Sequence, residues 1–362
     1  MTNRWISPQR VARLLGDRPW STPAYRDLAE RLRLLIADGS IGHLTRLPSE
    51  RDLATQLTLS RSTIAAAYAE LRRRGYAEAR RGAGNFAVAA ARTESTAMLG
   101  SDSPVTEGVI ELNRASPLAT PGLLRVFEET VRELPALLAT TGYDPRGVPE
   151  LRAAVAERFR DRGLPTEPDQ IVITSGALAA LAVVGRCLLS QGDRIVVDSP
   201  TYPNAIHAFR QLGARLVAQP LDPEGWDPEA IEHLVRQTSP RAAYLIPDHH
   251  NPTGLLMPEE QRTRLRAILR RHRVTMIVDE TMQELALDPA DGADATPTPP
   301  PLAEGAADAI TVGSASKIFW GGLRVGWIRA PRSMVQAIVH SRIALDLGTA
   351  PLEQLVTARL LA

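Results

Sequence analysis

The chain has 362 residues, 44% hydrophobic and 23% charged, with 42 basic residues against 41 acidic and a formal net charge of +1. That length is long for one domain and comfortable for two, and the composition is that of an ordinary soluble globular protein rather than a disordered or fibrous one. The single cysteine, Cys187, excludes a disulfide framework and reads as a buried core thiol, and no run reaches the ~18 apolar residues of a membrane span, so the chain reads as cytoplasmic.

The balanced charge conceals an asymmetry. Residues 1–90 hold 15 arginines against 8 acids, and the remainder holds 27 basic against 33 acidic residues. A basic front on an acidic body points to a polyanion met by the front alone. There, "AYRDLAERLRLLIADGSI" sets Leu28, Leu32, Leu35 and Ile36 on one helical face. "LPSERDLATQL" then starts a helix with Ser49 as N-cap and Asp52 three residues on, a capping box with Asp in place of Glu. A short break at Thr58 and Leu59 leads to Ser60, a second N-cap, which opens "SRSTIAAAYAELRRRG"; Gly75 ends that helix in the C′ position. Two helices across a turn of about three residues predict a helix-turn-helix. "YAEARRGAGNFAV" follows as a hairpin around a tip carrying Arg80, Arg81 and Gly82, as a wing would.

From about Ala24 to Val88, the segments "LPSERDLA", "LSRSTIAAAYAELRRRGY" and "RRGAGNF" together resemble the winged-helix domain of the GntR family of bacterial regulators. The resemblance implies that Arg51, Ser60, Arg61, Ser62, Thr63, Arg80, Arg81 and Gly82 meet double-stranded DNA. One departure is visible: "GSIGHLTRLPSE" lacks the Pro-Gly that relatives place before the arginine-Leu-Pro. A helical protein-interaction module is the alternative.

A small, polar stretch without periodicity reads as a flexible linker. The expected division is therefore residues 1–90 for the DNA-binding domain, 91–108 for the linker and 109–362 for a second domain. "DPADGADATPTPPP" at 288–301 reads as a solvent loop within that domain. Elsewhere helices alternate with the short apolar runs "QIVIT", "RIVVDSP", "RAAYLIP", "VTMIVDE" and "AITVGS", which predicts an α/β domain with a mainly parallel sheet.

Polar residues follow those strands, where open α/β sheets bind ligands. "TSGALAAL" is a strand, a glycine turn and a helix start, so the amides of Gly176, Ala177 and Leu178 are expected to face a phosphate. Tyr202 in "DSPTYPNA" is available to stack on a ring, Asn251 in "DHHNPTG" can donate to a phenolic oxygen, and Asp279 ends "MIVDE". "GSASKIFWGGLRVG" contains Lys317, the only lysine beside 41 arginines. Arginine stays protonated, whereas a lysine amine can lose its proton and attack a carbonyl. Ser314, Ser316 and Arg324 beside it suit a phosphate near an amine-bound carbonyl, a description that fits pyridoxal phosphate. A lysine left by drift in an arginine-rich chain is the alternative.

This order resembles fold-type I aminotransferases from about Val109 onward. The resemblance implies an internal aldimine at Lys317, with Asp279 paired to the pyridine nitrogen; these two are the expected catalytic residues. It also implies Asn251 on the phenolic oxygen, Tyr202 on the ring, and Gly176, Ala177, Leu178, Ser314, Ser316 and Arg324 around the phosphate. Tyr143, in "TGYDPRGVPELR", is implied to reach the phosphate of a neighbouring subunit in a homodimer. Thr281 departs from the pattern, since many relatives carry tyrosine there. No metal is expected.

A winged helix joined to such a domain is similar to the MocR subfamily of transcriptional regulators. That implies a DNA-binding regulator sensing pyridoxal phosphate, or an amino acid or amine effector, through the aldimine. Its alternatives are a working aminotransferase with an accessory DNA-binding domain, and a cofactor fold kept only to dimerise the DNA readers. The sequence ends 45 residues after Lys317 in "APLEQLVTARLLA", which sets the expectation that the C-terminal subdomain is missing or truncated. Arg359 lies within a helical pattern, and transamination of ordinary α-amino acids is expected to be slow or absent.

Overall fold

Helix starts in this protein are written by serine, proline and glycine, and the computed structural model shows how they divide the chain. It describes residues 5–16, 19–37, 40–42, 44–80, 83–88, 117–285 and 299–362. The chain falls into two units, residues 1–115 with 119–128, and residues 116–118 with 129–362. The expected linker at 91–108 and the wing residues Arg81 and Gly82 lie outside the described residues, as does most of the 288–301 loop.

In the first unit, α1 (Pro8–Leu15), α2 (Ala24–Ala37), α3 (Glu50–Leu57) and α4 (Arg61–Arg73) precede an antiparallel hairpin, β1 (Ala77–Arg80) and β2 (Gly84–Ala87). The oxygens of Ser7, Ser49 and Ser60 accept from the backbone N–H three residues on and so start α1, α3 and α4. The capping box expected at Ser49 is not reciprocal. The Ser49 hydroxyl donates to Asp52 Oδ2 at 2.7 Å, because the shorter Asp side chain stops at the hydroxyl. Thr58 in the left-handed region (φ 54°) closes α3, and Gly75 (φ 78°) follows α4. Leu28, Leu32 and Ile36 of α2 are buried against Leu53 of α3 and Ile64, Tyr68 and Leu71 of α4. Burial of each such side chain contributes about 1.5–3 kcal/mol, so this core holds the second helix of the pair at a fixed angle to the first.

The second unit contains a seven-stranded sheet in the order β3-β9-β8-β7-β6-β4-β5. Its strands are β3 (Ile171–Thr174), β4 (Arg194–Ser199), β5 (Arg215–Pro220), β6 (Ala242–Leu245), β7 (Thr275–Asp279), β8 (Ile310–Ser314) and β9 (Gly326–Arg329). All run the same way except β9, which pairs antiparallel with both β3 and β8. The mainly parallel sheet is as expected, and β9 is the addition: "GWIR" is too short to announce itself. Helices α5 (Leu123–Val131), α6 (Leu134–Leu138), α7 (Pro149–Asp161), α8 (Ala177–Leu188), α9 (Pro203–Gln211), α10 (Pro228–Thr238), α11 (Glu259–Arg271), α12 (Arg332–Ile343) and α13 (Pro351–Leu361) complete the described α-helices, beside two short 3-10 turns at Pro168–Gln170 and Gly321–Leu323. Helix α5 crosses the division between the units.

Buried strands of Ile and Val, with α8 and α12 among their cover, form the main core. Cys187 packs against it half-buried rather than fully enclosed. Pro301, Leu302 and Ala303 are buried, so the predicted solvent loop ends by residue 301. Arg359 sits in α13 and pairs with Glu133. Among the described residues no helix is long and apolar enough to cross a membrane, and no cluster of ligating side chains could hold a metal.

Candidate cofactor site and nucleic-acid interface

Parallel strands bring their carboxyl ends to one edge of the sheet. The register makes the convergence concrete: Gly326, the first residue of β9, pairs with both Thr174 at the end of β3 and Ser314 at the end of β8. The turns after β3 and β8 and the approach to β9 therefore meet. These supply Gly176 and α8, Ser314 to Lys317, and Arg324. The carboxyl end of β7 supplies Asp279, that of β6 leads to Asn251, and that of β4 leads to Tyr202.

Gly176 takes φ 92° and caps α8 without a side chain. A Cβ there would stand 2.7 Å from a terminal nitrogen of Arg324, whose guanidinium donates to Ser175 C=O at 3.1 Å. The Gly176 N–H is spent inside the turn on Thr174 C=O at 2.9 Å. The first-turn amides of Ala177 and Leu178 precede the first helical bond, Ala180 N–H to Gly176 C=O. Ser314 Oγ donates to Val325 C=O and accepts from Ser316 N–H at 3.1 Å, while Ser316 Oγ is buried without a hydrogen-bond partner. Helix amides, an arginine and an orphaned hydroxyl together match an anion.

Lys317 follows, half-buried. Burial pushes its pKa below the ordinary lysine value, and the Arg324 charge adds to that. Asp279 is 4% exposed; Tyr244 OH donates to its Oδ2 at 2.8 Å and Thr281 N–H to its Oδ1 at 2.9 Å. Burial nevertheless raises the carboxyl pKa, because those hydrogen bonds oppose only part of the desolvation. A cationic nitrogen beside it would complete its solvation. Tyr202 OH accepts from Asn204 Nδ2 at 2.9 Å, and both Tyr202 and Asn251 are half-buried. Tyr143 stands apart, 69% exposed. Thr281 Oγ1 is buried and unpaired. Buried carboxylate, depressed amine and anion cradle fit pyridoxal phosphate.

Sequence reasoning passed over three groups here. Tyr244 is 35 residues from Asp279, and nothing local marks it as the partner. Asp198 accepts from Trp226 Nε1 at 3.0 Å and lies 3.5 Å from His250, all buried, directly before Asn251. Asp248 is held by the fully buried Arg262 at 2.6 Å. The "DHH" run was the available signal for the last two.

In the first unit the opposite arrangement holds. Arg51, Ser60, Arg61 and Ser62 are exposed and Thr63 is half-buried at the start of α4. Ser60 Oγ lies 2.8 Å from Ser62 Oγ and 2.7 Å from Thr63 Oγ1. Arg61 keeps 75% of its side chain exposed, with Glu50 at 3.4 Å. Arg80 covers the Phe86 ring at 4.6 Å and bonds Glu78 at 2.6 Å. A polyanion could reach all of these side chains without any being buried first.

Residues 128–360 match the family described as "Aminotransferase class I and II", and residues 24–86 match "Bacterial regulatory proteins, gntR family". The chain is 29% identical to the uncharacterized HTH-type transcriptional regulator YdfD of Bacillus subtilis, over 93% of this chain and 73% of that protein. It is 28% identical to the probable rhizopine catabolism regulatory protein MocR of Rhizobium meliloti, over 93% of this chain and 71% of that protein. Among solved structures, it resembles LysN, the α-aminoadipate aminotransferase of Thermus thermophilus, complexed with N-(5'-phosphopyridoxyl)-L-leucine. The TM-score is 0.57 at 32% identity, over 67% of this chain and 62% of that one. The chain thus spans less than two thirds of that solved chain.

Proposed function

Because the chain belongs to the aminotransferase class I and II family and carries a GntR-family DNA-binding domain ahead of it, we propose that it is a pyridoxal-phosphate-responsive transcriptional regulator of the MocR type. The observation that carries this is the pairing of an exposed, arginine-opened recognition helix with a buried site built around the only lysine. Relatives named as regulators match over 93% of the chain, both domains included, which supports regulation over catalysis.

Bound pyridoxal phosphate supplies a carbonyl that condenses with amines and a pyridine ring that withdraws electrons. Lys317 Nζ is the attachment point, its proton loosened by burial and by Arg324. Asp279 holds the pyridine nitrogen protonated, itself oriented by Tyr244 and Thr281. The amides of Ala177 and Leu178, the hydroxyls of Ser314 and Ser316, and Arg324 hold the phosphate; Gly176 leaves room for that arginine. Tyr202 and Asn251 hold the ring and its phenolic oxygen, and Tyr143 serves the neighbouring copy in a homodimer. An amino acid or amine effector would be sensed at the Lys317 amine, the group that would hold the cofactor. That redistributes the regulator between conformations that differ in DNA affinity.

Footprinting on the chain's own upstream region, with and without pyridoxal phosphate and amino acids, tests this. A footprint that responds to the cofactor supports regulation; its absence under all conditions refutes it. A second reading, a working aminotransferase with an accessory DNA-binding domain, is favoured by the 32% identity to the Thermus enzyme. Steady-state turnover with amino and keto acids separates the two.

A further inference from the structure

The wing sheet does not stop at its hairpin. Arg46 bridges antiparallel to Phe86 of β2 and parallel to Trp5, and Ile6 N–H donates to Arg46 C=O at 3.2 Å. Trp5 thereby adds a single bridge at the outer edge of the wing. Ile6, Val11 and Leu15 are buried in the core of the first unit, so that segment is anchored. Trp5, Ile6, Val11 and Leu15 precede residue 24, where the match to the GntR family begins, whereas Arg46 and Phe86 lie within it.

Residues opposite each other in a ladder share a face. One face of the wing therefore carries Trp5, Arg46, Phe86 and Glu78, with Arg80 two residues beyond Glu78. Phe86 is 3% exposed beneath Arg80, whereas Trp5 is 61% exposed and Arg46 is exposed. The Arg46 side chain runs along the wing: its Nε lies 3.6 Å from where a Cβ on Gly84 would stand. Arg80 is compensated by Glu78, but among the described residues no carboxylate pairs with Arg46. An indole in water beside an uncompensated guanidinium, on a face continuous with the wing, suits a sugar-phosphate backbone. Indole supplies flat contact and one N–H donor; guanidinium supplies the counter-charge.

We propose that Trp5 and Arg46 extend the wing into a second contact with the backbone of double-stranded DNA, independent of base sequence. This rests on the DNA-binding reading of the first unit. In the test, the full chain binds a mixed-sequence duplex across a salt series. Arg46→Ala is expected to make the dependence of log K on log salt shallower by about one, the signature of one lost phosphate contact. Arg46→Lys is expected to restore the slope. Trp5→Ala is expected to weaken binding roughly three- to tenfold at every salt concentration, the worth of one hydrogen bond, with the slope unchanged. Trp5→Phe is expected to recover part of that loss. Parent-like affinity and slope in both alanine variants overturn the proposal. No binding by the parent chain at low salt overturns the DNA-binding reading itself.

Discussion

Arg61 and Asp279 are both charged groups set at the end of a regular element, yet Arg61 leaves 75% of its side chain in water and Asp279 is 4% exposed. The difference follows the ligand each would take. A duplex is a large, already hydrated polyanion that reaches only what the surface presents, and its attraction to arginine is screened by salt. Asp279 is buried and Lys317 half-buried, and that burial shifts both toward their neutral forms. The candidate contacts of the first unit are exposed charges; those of the second are charges that are costly to bury.

Four substitutions can break that contrast. The largest effect belongs to Lys317→Arg, which keeps the charge and removes the nucleophile. The visible absorbance of bound pyridoxal phosphate and its fixation by borohydride should disappear, and either signal surviving would remove Lys317 from its role. Asp279→Asn should weaken cofactor binding by about 3–5 kcal/mol, the order expected when one member of a buried charge pair is lost. A dissociation constant within a factor of two of the parent's would show that Asp279 does not face the ring nitrogen.

Arg61→Ala should weaken a specific operator by about 1–3 kcal/mol if the guanidinium reads a base edge, and leave random duplex nearly unaffected. Equal losses on both would make it a backbone contact. The smallest effect concerns pH. Loss of the Lys317 proton falls below the ordinary lysine value mainly through burial and partly through Arg324. Arg324→Gln should therefore move the midpoint of cofactor capture to higher pH while leaving it below that of free lysine. A midpoint that stays put or moves down in a pH-rate profile would contradict this.

Most of the local grammar was readable in the sequence. Ser49, Ser60 and Gly75 mark helix ends because caps depend on one or two residues. The succession of strand ends before Gly176, Asp279 and Lys317 was readable because parallel strands are continuous apolar runs. What stayed hidden depends on pairing across distance. Tyr244 reaches Asp279 only because β6 and β7 are neighbours. The Gly176 amide turns inward because its turn closes on Thr174, and β9 is only four residues long. Trp5 belongs to the wing through a bridge to Arg46, 41 positions along the chain, which no periodicity announces.

The central claim is a coupling between the two units, and coupling is reciprocal. The most direct measurement is the dissociation constant of pyridoxal phosphate, read by absorbance, with and without saturating operator DNA. It is paired with the operator affinity measured with and without the cofactor. The account predicts that each ligand changes the other's affinity by the same factor, and that Lys317→Arg abolishes the effect. Equal affinities in all four conditions would contradict it.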